Sequence, residues 1–244
     1  ENNIAKNSEY FKKYFPWYMG DVYHIPYVFQ ERFKNNINFK NRKNLCFATG
    51  TFEILPNKPR YKYFMDFFKS DTLHPVRKII YQNKDNLDGL IDSKVSDYNE
   101  VKSKQIKGNV FNIAIAKIYN IFFVKQTKYF QFDVVQKYNE YKMFTVPEEA
   151  SDMPGIGFVE GMACGGAYIG KDDPMYRDLG LVPMVHYISY DGTLDDLIVK
   201  IKFFQNNSDE LEKIADNGYK FVNKNFNNKI VSEKLFYDLN QEPL

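Results

Sequence analysis

Residues 147–170 read PEEASDMPGIGFVEGMACGGAYIG, and the fold turns on this stretch. The apolar run Met143 to Val146 reads as a short strand that ends at Pro147. A loop rich in Gly and Pro, Asp152 to Gly157, leads from it into a helix over Phe158 to Cys164, and Ala167 to Ile169 is the next strand. Strand, loop, helix and strand with no tight hairpin between them form the unit of a parallel sheet. Gly155 and Gly157 let the backbone approach a ligand closely. The N–H groups of the helix start at Phe158 offer a place for hydroxyls or an anion. Asp152 and Glu160 lie eight residues apart, one on the loop and one on the helix. Carboxylates at a strand end suit hydrogen bonding to vicinal hydroxyls, as an acidic residue does for a ribose in dinucleotide-binding folds. Gly161, Ala163, Gly165 and Gly166 then allow the helix to pack tightly on the sheet. Short Gly patterns are common, so the stretch taken alone reads first as plain turns and a solvated Glu160.

The flanks extend the alternation. Downstream come a short helix, Met175 to Leu179, a strand, His186 to Ser189, and three helices. The first starts at Thr193, with Asp196 placed as in a capping box, and puts Leu194, Leu197, Ile198 and Ile201 on one face. The second is read as capped by Ser208, with Asp209 and Glu210 in its first turn. The third runs from about Asn228 to Leu239. Upstream, Phe132 to Tyr141 is helical, and Pro59 to Phe68 and Pro75 to Asn86 are helices with proline in the first turn. Leu45 to Ala48 is a strand entering a turn of small residues, Thr49-Gly50-Thr51, the position where open parallel sheets bind ligands. Val22 to Phe29 is strand-like but interrupted by Pro26, and Phe33 to Lys43 is a polar linker. Between Ser93 and Gln131 the pattern is weakest. Ile121 to Val124 is strand-like there, and Lys94, Lys102, Lys104, Lys107, Lys117, Lys125 and Lys128 read as a solvated face, with an anionic membrane surface as the alternative partner. The expected fold is α/β: a Rossmann-like parallel sheet with helices on both faces and a helical C-terminus. Residues 1–44 form an appendage and linker, and 45–244 one domain.

Composition narrows the function. The 244 residues are 44% hydrophobic and 26% charged, as in a globular protein, and the 17% aromatic content is read as compositional bias. With 33 basic and 31 acidic residues the net charge is +2, which argues against a nucleic-acid footprint. No apolar run approaches the roughly 20 residues that span a bilayer. The start is polar, without a signal peptide, and lacks Met, which suggests a fragment of a cytoplasmic protein. Cys46 and Cys164 are expected to be buried free thiols. His24, His74 and His186 are too scattered for a metal site, and no Ser-His-Asp, Cys-His or phosphate-loop motif is present.

The segment Asp152-MPGIGFV-Glu160-Gly-Met-Ala-Cys-Gly165 resembles the donor-site signature of group 1 retaining glycosyltransferases of the GT-B fold, in which two acidic residues with seven between them precede a Met-Ala-Cys-Gly sequence. His24 to Phe33 resembles that family's linker between two Rossmann-like domains. Leu45 to Thr51 resembles the first strand and phosphate-facing loop of its C-terminal domain, and YISYDGTLDDLIVKI and GYKFVNKNF its C-terminal helices. The resemblance covers roughly residues 22–239 and implies the C-terminal half of a GT-B fold. It also implies transfer of a sugar from a nucleotide-diphosphate donor to a glycan, lipid-linked or protein acceptor, with no further cofactor or metal. Glu160 would bind the ribose hydroxyls and Asp152 the donor sugar, with the backbone of Gly155, Ile156 and Gly157 against sugar and diphosphate. The family has Glu where Asp152 stands, so Glu148 or Glu149 are alternatives for that role. Thr49, Gly50 and Thr51 are expected at the diphosphate, with Arg77 as its first cationic partner and Arg60 and Lys58 next. A non-catalytic nucleotide-sugar-binding module, a sugar-nucleotide epimerase of GT-B architecture and an unrelated phosphate-binding protein are the rival readings. Peripheral contact with the inner membrane surface is the remaining partner expectation.

Overall fold

The computed structural model describes residues 9–17, 27–98 and 132–241. A helix α1 (Glu9–Tyr14) precedes the sheet. There follow β1 (Lys43–Phe52), α2 (Pro59–Phe68), α3 (Pro75–Gln82), β2 (Ile91–Asp97), α4 (Val134–Glu140), β3 (Tyr141–Thr145), α5 (Gly157–Ala163), β4 (Ala167–Lys171), α6 (Pro174–Asp178), β5 (Ile188–Tyr190), α7 (Leu194–Asn206), α8 (Ser208–Asn225) and α9 (Asn228–Gln241). Five strands form one sheet in the order β2-β1-β3-β4-β5, and every neighbouring pair is parallel. This is the expected α/β fold.

Period-two alternation decides which side chains go to which layer. Phe47, Phe144 and Tyr168 point into a core shared with Val134 and Tyr138 of α4, Phe158 and Met162 of α5 and Val222 of α8. Their neighbours Cys46, Ala48, Met143, Ala167 and Ile169 point into a second core with Ile80 of α3, Leu197, Ile201 and Phe204 of α7 and Leu211 of α8. Burying a side chain of this size contributes about 1.5–3 kcal/mol, so both faces must be covered and neither helix layer is dispensable. A Cβ on Gly161 would lie 2.3 Å from the Phe144 ring, so only glycine lets α5 sit this close to β3. Cys46 and Cys164 are free and wholly buried, one in each core.

Several elements differ from the sequence reading. β1 is longer than Leu45 to Ala48: Thr49, Gly50 and Thr51 are inside the strand, because β2 pairs with β1 out to Phe52↔Asp97. β2 itself was not anticipated; as an edge strand it buries only Ile91 and Val95, and the rest of IDSKVSD is polar. The helix from Pro75 stops at Gln82 and gives way to a 3-10 turn over Lys84–Leu87. Thr193 caps α7 as expected, its side chain accepting from the Asp196 N–H. Ser208 does not cap α8: it is the first helical residue, and its hydroxyl accepts from Lys142 Nζ at 3.0 Å instead. The polar run before β1 is tied down by Arg42, which donates to Asn35, to the Ile37 carbonyl and to the Cys164 carbonyl. Lys94 pairs with Asp92, at 3.2 Å. The remaining lysines between 102 and 128, the run Ile121 to Val124 and His24 lie outside the described residues. Among those described, no helix is long and apolar enough to cross a membrane.

Candidate functional site

The strand order 2-1-3-4-5 places a topological switch point between β1 and β3, where crossovers leave to opposite faces and open a crevice beyond the carboxyl ends. The β1–β3 register runs to Ala48↔Thr145, whereas β1 continues beside β2 to Phe52. Arg77, from the first turn of α3, crosses the resulting gap. Its Nε donates to the Pro147 carbonyl at 2.9 Å and its Nη1 to the Thr51 carbonyl at 3.1 Å, which joins the ends of the two strands. A Cβ on Gly50, whose φ is +130°, would come within 2.9–3.0 Å of that side chain, and one on Gly155 within 3.2 Å of Nη2. Gly50, Thr51, Arg77 and Gly155 are thereby brought to one place. Arg77 is buried, so its charge acts at low dielectric. The Thr49 and Thr145 hydroxyls, near the ends of β1 and β3, are buried and without a hydrogen-bond partner among the described residues. Lys58 is the residue before α2, and Arg60 stacks on Tyr61 at 4.6 Å.

The loop after β3 is pinned at both ends. Ala150 N–H donates to the Leu73 carbonyl at 2.7 Å, and the Tyr27 hydroxyl to the Pro154 carbonyl at 2.7 Å. Asp152 sits in the left-handed region, φ +59°, which costs a non-glycine residue free energy and is a feature of functional loops. Its buried carboxylate accepts from Lys13 Nζ at 2.6 Å, from the Tyr14 hydroxyl and from Lys171 Nζ. Burial pushes this carboxyl up, but those hydrogen bonds outweigh it and hold it at about 2. Beside it, burial and the Asp152 charge raise Asp173 to about 6. Asp173 also caps α6 through the Met175 N–H.

Glu148 does not face the crevice. Its carboxylate is buried, accepting from the Tyr176 hydroxyl at 2.5 Å, the Tyr168 hydroxyl at 3.1 Å and the Lys171 N–H at 2.8 Å, so its geometry fits holding the loop rather than standing in for Asp152. Glu149 lies 3.9 Å from His74 Nε2. Burial and then Arg77 lower His74 to about 4, so at neutral pH this imidazole is uncharged and the contact is not an ion pair.

Gly157 opens α5, and a Cβ there would strike the Tyr138 hydroxyl at 2.7 Å. Ile156 is 48% exposed at the helix start, while the Phe158 side chain is fully buried against Tyr27, Tyr168, Tyr176 and Phe226. The N–H groups of Phe158, Val159 and Glu160 donate to Gly155 and Ile156 carbonyls within the turn, so the anion-binding role expected of the Phe158 N–H has no free donor there. Glu160 is half-buried; burial raises its carboxyl to about 6, opposed by Arg32. The sequence reading missed Lys13, Tyr14, Lys171, Asp173 and His74. Asp173 and His74 each had a local signal, a residue followed by proline at a helix start.

Glycosyl transferase family 90 matches residues 162–241, a third of the chain, which excludes Asp152 and Glu160. No curated protein matches the chain. Among solved structures, sucrose-phosphate synthase from Thermosynechococcus elongatus aligns at TM-score 0.50 and 14% identity, over 89% of this chain and 51% of that one. The C-terminal domain of a glycosyl transferase group 1 family protein (LpcC) from Francisella tularensis aligns at TM-score 0.45 and 15% identity, over 81% and 97%. TarM of S. aureus aligns at TM-score 0.48 and 12% identity, over 91% of this chain. The chain thus spans 40% of the length of TarM and about half of the synthase, and the likeness to the synthase is one of fold.

Proposed function

We propose that this chain is the nucleotide-sugar-binding domain of a GT-B glycosyltransferase, with the donor seated at the β1–β3 switch point. The observation that carries the reading is the convergence of Gly50, Thr51, Arg77 and Gly155 at that point, beneath a loop that holds Asp152 in a left-handed conformation. The partial match to glycosyl transferase family 90 and the fold support it. In this proposal Arg77, oriented by two carbonyls, supplies positive charge to the diphosphate as negative charge develops on the leaving group. Glu160 accepts from the ribose hydroxyls; with its carboxyl at about 6 it is mostly ionised at neutral pH. Asp152 and the backbone of Gly155, Ile156 and Gly157 face the sugar. A further domain holds the glycan, lipid-linked or protein acceptor in line and excludes water. The proposal includes retention of the anomeric configuration, polysaccharide or glycoconjugate assembly, and a cytoplasmic setting with peripheral contact at the inner membrane face.

Titration with UDP-, GDP- and TDP-sugars, alongside Glu160→Ala, tests it. Saturable binding of one nucleotide class, weakened by about 1–3 kcal/mol in the variant, is expected. Tight binding that ignores the substitution sinks the ribose role, and indifference to every sugar nucleotide sinks the donor site. The complete engagement of the Asp152 carboxylate by Lys13, Tyr14 and Lys171 favours one second reading, a non-catalytic sugar-nucleotide-binding module. Donor binding without turnover in a protein carrying both domains would select it.

A further inference from the structure

The carboxylate proposed to face the donor sugar is occupied from within the chain. Lys171, at the end of β4, takes Oδ1 of Asp152, while Lys13 and Tyr14 take Oδ2. Lys171 is fixed by the sheet. Lys13 and Tyr14 arrive on α1, 139 and 138 residues away in sequence. The Lys13 ammonium also lies 3.6 Å from Asp173, so α1 bridges both acidic groups at this edge. Its side chain is 46% exposed against 8% for Asp152, so α1 forms the outer cover of a buried acceptor. An ammonium and a phenol are hydrogen-bond donors, as a sugar hydroxyl is, and they use the same oxygen lone pairs. Exchanging them for sugar hydroxyls leaves Asp152 still paired with Lys171, while Asp173, 3.6 Å from Lys13, loses that cation.

We infer that Lys13 and Tyr14 are specificity determinants of the donor site: they hold Oδ2 of Asp152 until sugar hydroxyls replace them, so that the sugar, and not the nucleotide, releases α1. This rests on the donor reading of Asp152 given above. Competition of this kind lowers apparent donor affinity by the fraction of time α1 is away, so a cover closed about nine-tenths of the time weakens sugar-nucleotide binding about tenfold. A bare diphosphate, which does not reach Asp152, is unaffected.

The chain carries its own reporter. Trp17 is its single tryptophan, three residues past α1, 73% exposed and edge-on to Phe15 at 5.9 Å. The full chain is titrated with UDP-glucose, GDP-mannose and TDP-glucose, and separately with UDP, GDP and TDP, following Trp17 emission and anisotropy together with calorimetric affinity. A sugar nucleotide that binds is expected to change the Trp17 signal, and its matching diphosphate to bind without changing it. The double variant Lys13→Ala/Tyr14→Phe is expected to bind that sugar nucleotide about tenfold more tightly, with diphosphate affinity unchanged. A Trp17 response to the diphosphate alone overturns the inference, and so does unchanged or weaker sugar-nucleotide affinity in the double variant; both leave the donor site standing. Failure of both proteins to bind any sugar nucleotide overturns the donor reading and the inference together.

Discussion

Gly50→Ala tests whether Arg77 is the pin of the switch point. At φ +130° any side chain is strained, at a cost of about 1–3 kcal/mol whatever surrounds it. The new Cβ would also stand 2.9–3.0 Å from Nε, Cδ and Cζ of Arg77, so the guanidinium has to move. Among its contacts are hydrogen bonds to the Pro147 and Thr51 carbonyls, at 2.9 and 3.1 Å. Losing one of them costs about 1.5–3 kcal/mol, because the donor is charged and buried. Gly50→Ala should therefore cost about 2.5–6 kcal/mol in urea unfolding. Repeating the substitution in an Arg77→Met background removes the collision and leaves the strain, so the same change should cost only about 1–3 kcal/mol there. The coupling between the two positions should then be about 1.5–3 kcal/mol. Additivity within about 0.5 kcal/mol would show that Gly50 is needed for its conformation alone, and the account of Arg77 as a pin would fail.

Three further outcomes are expected. The folded Glu160 carboxyl, at about 6, sits above its ordinary 4.5, so its stabilisation is complete below about pH 4.5 and is lost as pH rises through 6; Glu160→Gln should match the parent at pH 4 and exceed it at pH 7 by up to about 2 kcal/mol, and a pH-independent difference would contradict this. Glu148→Ala removes the acceptor of three tyrosine hydroxyls and the Lys171 N–H; a loss of about 3–5 kcal/mol is expected by thermal unfolding, with Glu148→Gln costing clearly less because it keeps an acceptor oxygen. Gly161→Ala drives a methyl into the Phe144 ring, at 2.3 Å; the expected cost of about 1–3 kcal/mol should shrink when Phe144→Leu makes room, and no rescue would mean that α5 yields instead.

The fold was legible where burial dominates the residue choice. β3, β4 and β5 are short apolar runs between helical patterns, and the sheet follows from their spacing. β2 was not, because an edge strand needs only Ile91 and Val95 inside and can be polar elsewhere. Thr49, Gly50 and Thr51 look like a turn in isolation; they become strand because β2 lies beside them as far as Asp97. The passage from β3 through the loop with Asp152 into the helix with Glu160 was readable as structure, as was the proline-led helix that begins just before Arg77. Its surroundings were not. The groups that set the charge state of Asp152 come from 139 and 19 residues away, and nothing in the local sequence of Lys13 or Lys171 marks them. Glu148 and Asp152 are both acidic residues of one loop, and only packing shows that three tyrosines and β4 enclose the first while α1 covers the second.

The two thiols described above have a use. Burial pushes both up, Cys164 to about 12, so neither sulfur is reactive while its layer is closed. A water-soluble thiol reagent in excess is consumed only as fast as the protein opens. Cys46 is reached when the layer with α3 and α7 parts from the sheet, and Cys164 when the layer with α4, α5 and α8 does. The two alkylation rates, separated by peptide mapping, therefore time the opening of each side of the sheet without any label being introduced.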